Sequence, residues 1–307
     1  MAVDNILRTY GDTSIVTDVI DLIENVSPTE DDLLVSLEKT EAISTIHSWQ
    51  NDTLDTAGSA AVGEGADPTY PSLTTPTRLT NLTEIVAKPF KVSDTQRAVS
   101  HYGFQDAFAY NAEKAMKNWR NAAEFDLLRS TLTSGASGTT PKMAGVIAWI
   151  STNLTAHASG TIFSESILRG LLRNSYENGN GDSVDTIMVG SFMKARLSGF
   201  SGRSGTQYVV PLTQNVVAQT TDKYISDQGT SGVVLHRYVQ QSGDSTGRVL
   251  GIVKDKFKVA YLKGRTPKMV MLAKTGDSTP GQIIGEMTLE CRNEPCNFMS
   301  SGFLLSV

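Results

Sequence analysis

FQDAFAYNAEKAMKNWRNAAEFDLLRS, residues 104 to 130, runs without a proline or a glycine. Phe104, Phe108, Ala112, Ala115, Trp119 and Ala122 recur in steps of four or three. Such spacing keeps them on one face of a 3.6-residue period and predicts one long amphipathic helix with these six as its core face. Glu113 stands four residues before Lys117, the favourable order for an ion pair along a helix. A helix of this length would reach roughly 40 Å, longer than the private core of a compact domain requires. It reads as a spine, and the flanking sequence must supply a flat apolar surface to lie along it. An ordinary long helix in an ordinary globule is the plainer alternative.

Upstream, Ser93-Asp94-Thr95-Gln96 is a capping box that predicts a short helix closed by Gly103. Downstream, the loop SGASGTTPKMAG turns the chain, and the apolar run at 146–150 reads as a strand. A helix is expected over 164–176, burying Ile167, Leu168, Leu171 and Leu172, with Gly179 beyond its end. A short buried strand at 186–189 and a helix capped by Ser191 complete a helix-strand-helix alternation, an α/β unit. Short strands are expected at 208–210 and 233–238. The alternating run VLGIVKDKFKVAYL, residues 249–262, reads as one strand with Ile252, Phe257, Val259 and Tyr261 inward. With strands at 268–273, 283–291 and 298–307 it is expected to form an antiparallel sheet covered on one face by the long helix.

The first ninety residues have a different character. Residues 1–47 carry ten acids against Arg8 and Lys39, and residues 48–87 carry five acids against Arg78, while the remainder is net basic. Either the acidic start is drawn to the body of another copy or it is simply solvated. Ser27-Pro28-Thr29-Glu30 is a capping box that opens a helix through Leu33, Leu34 and Leu37. Before it, Ile15, Val16, Val19, Ile20 and Ile23 have no partner close in sequence, which marks an arm. From residue 49 to 89 the composition turns to Gly, Ala, Thr, Pro and Asp, with AGSAAVGEGADPTYPSLTTPTRLTN at its centre. This excludes a long helix and leaves a two-stranded hairpin with an irregular tip near 63–76, or a disordered loop. An isolated hairpin is marginal in water, so a projecting one must rest on another surface.

Several function classes find no support. The longest apolar runs, at 146–150 and 269–273, fall far short of the roughly 20 residues of a membrane helix. The N-terminus is acidic where a signal peptide would be basic. Cys291 and Cys296 stand five apart without a second pair, and read as two reduced thiols. Neither a phosphate loop nor a zinc helix is present, and His47, His101, His157 and His236 lie in unrelated contexts, so no cofactor or metal is expected. Gly243-Asp244-Ser245 and Gly276-Asp277-Ser278 are the two contexts that keep a serine hydrolase open as an alternative. The loop GFSGRSG at 199–205 could cradle an anion, and Asn81-Leu82-Thr83 and Asn153-Leu154-Thr155 match a glycosylation signal that means something only on secretion. A carbohydrate- or host-binding β-rich module is a third class.

The order of acidic arm, extended hairpin, spine helix, α/β unit and returning sheet resembles the major capsid proteins of tailed bacteriophages with the Hong Kong 97-type fold. NVSPTEDDLLVSLEKTEA, His47-Ser48-Trp49-Gln50-Asn51-Asp52 followed by Leu54, SDTQRAVSHYG and LAKTGDSTPGQIIGEMTLECRNEP are similar to segments of one branch of that family. One departure is Asp31-Asp32, where the family tends to have Thr-Pro. The resemblance implies an α+β chain with an N-terminal arm at 1–48 and an extended loop at 49–90. A peripheral domain would combine 91–150 with 255–307, and an axial domain would span 151–254. The implied function is mechanical: copies tile an icosahedral virion shell as hexamers and pentamers around double-stranded DNA, held without sequence specificity. No catalysis and no membrane are involved. Scaffolding, portal and decoration proteins are the implied further partners, with assembly guidance supplied separately or already finished, and assembly in the host cytoplasm. Leu54, Val62, Tyr70, Leu73 and Leu79 are the expected apolar loop contacts, and Glu64, Arg78 and Lys88 the expected interfacial ion-pair residues. Some members of the fold weld subunits through a lysine and an asparagine. Residues 48–87 hold no lysine, so links through this loop are expected to be non-covalent. An encapsulin-like compartment is the nearest alternative.

Overall fold

The apolar-periodic stretch folds as a single helix, Ala107–Arg129. It begins where Asp106, in extended backbone, accepts the Phe108 N–H at 2.9 Å. It ends where Ser130 returns to extended backbone just after Arg129. The computed structural model describes residues 32–54, 58–70, 75–101, 103, 105–200, 222–241 and 243–306. The apolar residues of the arm, the capping box at 27–30, Leu73, Phe104, the strand expected at 208–210 and residues 201–205 of the glycine-rich loop lie outside them.

In chain order the elements are helix α1 (Asp32–Ser36), strands β1 (Glu38–Ala42), β2 (Ile46–Asn51), β3 (Thr77–Leu82) and β4 (Glu84–Ser93), and helices α2 (Asp94–Ala98), α3 (Ala107–Arg129) and α4 (Val146–Trp149). Then come β5 (Leu154–Thr161), α5 (Glu165–Asn178), β6 (Thr186–Val189), α6 (Ser191–Ser198), β7 (Lys223–Ser226), β8 (Gly229–Leu235) and β9 (Gly247–Ile252). The described chain closes with β10 (Phe257–Leu262), β11 (Lys268–Met271), β12 (Ser278–Cys291) and β13 (Phe298–Phe303).

The first sheet is built on β12, the longest strand. One edge of β12 pairs with β10 and β11, and the other pairs antiparallel with all of β4, from Ser278↔Ser93 to Met287↔Glu84. β1 adds parallel to the far side of β10. Alternation on β12 sends Ile283, Met287, Leu289 and Cys291 into the core that α3 covers with Ala115, Trp119, Ala123, Leu127 and Leu128. Each large side chain fully buried there contributes about 1.5–3 kcal/mol. Trp119 also needs a partner for its ring nitrogen, and Nε1 donates to the Val86 carbonyl at 2.8 Å.

The second sheet has the order β5-β13-β9-β6-β8-β7. Its central strands β6 and β9 are apolar and buried along nearly their whole length because both of their faces are covered. Ile187, Val189, Val249, Phe298 and Phe303 pack with Leu168, Leu171 and Leu172 of α5 and with Met193 and Leu197 of α6. Met188, Leu250, Ile252 and Met299, which alternate with them, belong to the Trp119 core. The two sheets therefore share one apolar cluster beside α3.

Several expectations are corrected. Residues 146–150 are not a strand: Val146–Trp149 is one turn of helix packed on α3, because the apolar run is too short for periodicity to distinguish the two. Residues 249–262 are not one strand, since a 3-10 turn at Lys254–Lys256 breaks the run and sends β9 and β10 into different sheets. The sheet under α3 is mixed, through the parallel β1, and the terminal strand β13 lies in the second sheet, parallel to β5 and antiparallel to β9. The expected hairpin does not run to residue 89: its second strand β3 ends at Leu82, and β4, which follows after Thr83, belongs to the first sheet. The helix expected to be capped by Ser191 instead has Gly190 at its cap, with Ser191 as its first residue.

Candidate intersubunit surfaces

β2 and β3 form the hairpin, in register from Ile46↔Leu82 to Asn51↔Thr77. Its root is fastened to the first sheet by side chains that reach backbone carbonyls. Trp49 Nε1 donates to the Cys291 carbonyl at 2.9 Å and Asn51 Nδ2 to that of Arg292, while the Trp49 ring lies 5.4 Å from Trp149. His47 Nε2 meets Glu290 Oε1 at 2.6 Å. Asn81 is almost wholly buried; its Nδ2 donates to Ala144 and Leu289 carbonyls and its Oδ1 accepts the Ala144 and Leu82 N–H groups.

Beyond this root the hairpin makes little use of its own body. Every described residue from 58 to 70 is exposed, and Leu54, Val62 and Tyr70 present 99%, 78% and 89% of their surface. Apolar side chains so exposed on one projecting element mark a surface that other protein covers. Glu64 is exposed at the tip, and Arg78, also exposed, donates to Ser48 Oγ at 3.0 Å within the hairpin. Leu79, paired with Trp49 across the ladder, is half-buried. Lys88 lies apart from the tip, half-buried on β4, in an open groove of about 490 Å³ with Asn118, Asn121, Phe125, Asp126 and Tyr238.

On α3, Phe108, Ala115 and Trp119 are buried while Ala112 and Ala122 are half-buried. The buried stripe also takes in Ala107, Ala123, Glu124, Leu127 and Leu128. Glu124 escaped sequence reasoning because a charged residue on a helical wheel reads as solvent-facing, and its partner His236 lies 112 positions away. The groove is electrostatically tense. Burial, and then the charge of Glu84, push the Asp126 carboxyl up to about 6, against the pull of Lys142 and Lys88. Burial also raises Glu84, although the Met143 N–H and the Ser130 hydroxyl both donate to it.

The model of the family described as SU10 major capsid protein matches residues 5–302. The chain belongs to that family. Among solved structures, the capsid of an empty GTA particle is similar at a TM-score of 0.71 and 11% identity, covering 97% of this chain and 100% of its own. Microbacterium phage Oxtober96 gives a TM-score of 0.62 at 14% identity, covering 94% and 96%. The holo-SrpI encapsulin complex of Synechococcus elongatus gives 0.61 at 9%, covering 98% of each chain. No curated protein matches the chain. The fold is therefore the Hong Kong 97-type capsid fold, and the protein is a phage capsid shell protein whose copies associate with one another in the phage particle.

The candidates for other chemistry lie apart from one another in this major capsid protein, most of them in structural contacts. His47, His236 and His101 hydrogen-bond Glu290, Glu124 and the Gln96 carbonyl, and His157 stacks 4.9 Å from Phe303. Asp244, beside Ser245, is gripped by the two terminal guanidinium nitrogens of Arg129, and Ser278 opens β12 opposite Ser93. Asn81 and Asn153 are buried, out of reach of a glycosylating enzyme. Among the described residues no group of three metal-type ligands assembles, and no helix is long and apolar enough to cross a membrane.

Proposed function

We propose that this capsid protein closes an icosahedral shell of hexamers and pentamers around double-stranded DNA, and that the hairpin ties each subunit to its neighbour. The arm at 1–48 and the loop at 49–90 are the crossing segments, without a covalent weld from the loop. The unit of the first sheet and α3 is peripheral. The unit of the second sheet, to which β13 belongs by its strand partners, is axial and lies near the hexamer and pentamer centres. Leu54, Val62, Tyr70, Leu73 and Leu79 supply apolar contact, and Glu64, Arg78 and Lys88 supply ion pairs. Scaffolding, portal and decoration proteins are the further partners. Assembly takes place in the host cytoplasm, DNA is held without sequence specificity, and the protein has no enzymatic activity.

The observation that supports this reading most directly is the contrast within one hairpin, between a root held by Trp49, Asn51 and Asn81 and a tip whose Leu54, Val62 and Tyr70 stand open. Three exposed apolar groups have no stability role in a lone subunit, and burial against a neighbour would recover about 1.5–3 kcal/mol for each large side chain. The test is electron microscopy of the expressed full chain beside the triple variant Leu54→Ser, Val62→Ser, Tyr70→Ser. Closed shells are expected from the former, with few from the latter at an unchanged melting temperature. Equal shell yields from both would refute the role of the tip.

An encapsulin-like compartment is the second reading, favoured by the likeness to the SrpI encapsulin over 98% of the chain. Neighbouring genes for a portal and a terminase, and nucleic acid inside purified particles, distinguish the phage head from a shell holding protein cargo.

A further inference from the structure

Glu124 lies in the last quarter of α3 with no solvent exposure, beside the largest apolar cluster among the described residues. A carboxylate so placed is costly unless its oxygens are fully used. Oε1 accepts the Leu33 N–H at 2.8 Å and Oε2 accepts the Leu34 N–H at 2.9 Å, so the carboxylate holds the first turn of α1 from below. Oε1 also meets Nε2 of His236 at 2.9 Å, and His236 is likewise fully buried.

The histidine is itself fixed from the second sheet. Its own N–H donates to the carbonyl of Val189 at the end of β6, and its Nδ1 accepts the Tyr238 N–H at 3.3 Å. With Nδ1 accepting, Nε2 carries the proton and donates to Glu124. Three segments distant in sequence thus meet at one carboxylate: the arm root, the long helix and the strand end of the second-sheet unit. In this network His236 reaches α1 through Glu124, on the oxygen it shares with Leu33.

We propose that Glu124 and His236 form a latch that makes the seating of the arm root depend on the position of the second-sheet unit against α3. When that unit is in place, His236 orients and compensates the carboxylate, and the carboxylate holds both amides. When the unit shifts away, Oε1 loses a buried donor, the charge must find water or another rotamer, and the two α1 amides lose a fixed acceptor. Among the described residues, Asp32 and Lys254, 3.5 Å apart, are the further electrostatic fastening of α1, and a partly exposed pair of that length is weak. The latch thus fixes the seating of α1, which follows residues 1–31 in the chain, and it holds whether or not those residues cross to a neighbour.

Amide hydrogen exchange of the full chain, followed by mass spectrometry over 32–37 and over β12 as reference, tests it. H236N keeps an acceptor near the place of Nδ1 for Tyr238 but is too short to reach Glu124. H236Q places an amide donor near the place of Nε2. H236N is expected to speed exchange of the Leu33 and Leu34 amides about tenfold, the effect of losing one net hydrogen bond of about 1.4 kcal/mol, with β12 unchanged. H236Q is expected to restore protection. Wild-type exchange over 32–37 in H236N, a matching rise in β12, or an H236Q chain as loose as H236N would each overturn the latch. Shell formation does not enter the measurement, so failure here leaves the proposed shell function standing.

Discussion

Asn81 and Ala144 clasp each other as a pair of strands would: Asn81 Nδ2 donates to the Ala144 carbonyl at 3.0 Å and Asn81 Oδ1 accepts the Ala144 N–H at 2.9 Å. One side chain at the root of the hairpin thereby imitates a peptide group and joins the loop after the long helix to β3. A third bond, to the Leu289 carbonyl at 2.8 Å, ties both to β12. Asn81→Asp keeps the shape but removes two donors and faces buried carbonyls with an acid. It is expected to cost about 3 kcal/mol or more, while Asn81→Ala costs about 2 kcal/mol. Urea unfolding of the full chain, read as a midpoint shift at constant slope, measures both.

The groove beside Lys88 carries a pH dependence with a definite sign. Asp126 holds its proton up to about 6 in the folded chain, against an ordinary 3.8. The native state therefore binds more protons than the unfolded one across that interval, and stability falls as pH rises through it. Above pH 6 the full penalty is present, and below about pH 4 it is gone. Asp126→Asn is expected to stabilise the chain at pH 7.5 by about 1–2 kcal/mol, a value reduced for partial solvent screening. The advantage should vanish on acidification, as followed by thermal melts across pH 4 to 8.

Gly285 on β12 is required by the ring that lies over it. A Cβ there would stand 2.8 Å from Trp119 Cζ2 and 3.2 Å from Pro267 Cα. Gly285→Ala is expected to destabilise by about 1–3 kcal/mol through overpacking. Trp119→Phe, harmful alone because it empties volume and orphans the Val86 carbonyl, should relieve part of that cost when combined. A double-mutant cycle on unfolding free energies is expected to give a coupling of about 1 kcal/mol in the favourable direction.

Both thiols are buried and unpaired. Burial foremost raises Cys291, and raises Cys296 up to about 12, where the nearby Asp182 charge adds to it. Since the thiolate is the reactive form, an aromatic disulfide reagent at pH 8 should label neither at a measurable rate in the native chain and both after unfolding. Fast native labelling of either cysteine would contradict the packing around β12.

The long helix was legible because 3.6-residue periodicity over many turns without a glycine or proline has one explanation. Its buried stripe was less so: Ala123, Leu127 and Leu128 carry the core in the second half, where the spacing of apolar residues permits more than one choice of face. The hairpin was legible from turn-rich composition between two β-prone runs. Its fastening was not, because Asn81, Trp49 and Asn51 act on carbonyls of residues up to 242 positions away. The run at 249–262 reads as one strand from its inward Ile252, Phe257, Val259 and Tyr261, yet β9 and β10 serve different sheets. Alternation records which way side chains point and is silent on which neighbour a strand pairs with.

Local physics in the sequence by itself determined the elements: a helix of many turns, an acidic start, and a turn-rich loop between two β-prone runs. Only the tertiary structure decided which strand lies beside which, that β13 crosses to the second sheet, and that Glu124 is a buried junction and not a solvated charge. The reason is range. Periodicity and capping act within a few residues of the chain, whereas strand partners and buried polar contacts are chosen among residues a hundred or more positions apart, by the requirement that every buried donor and acceptor find a counterpart.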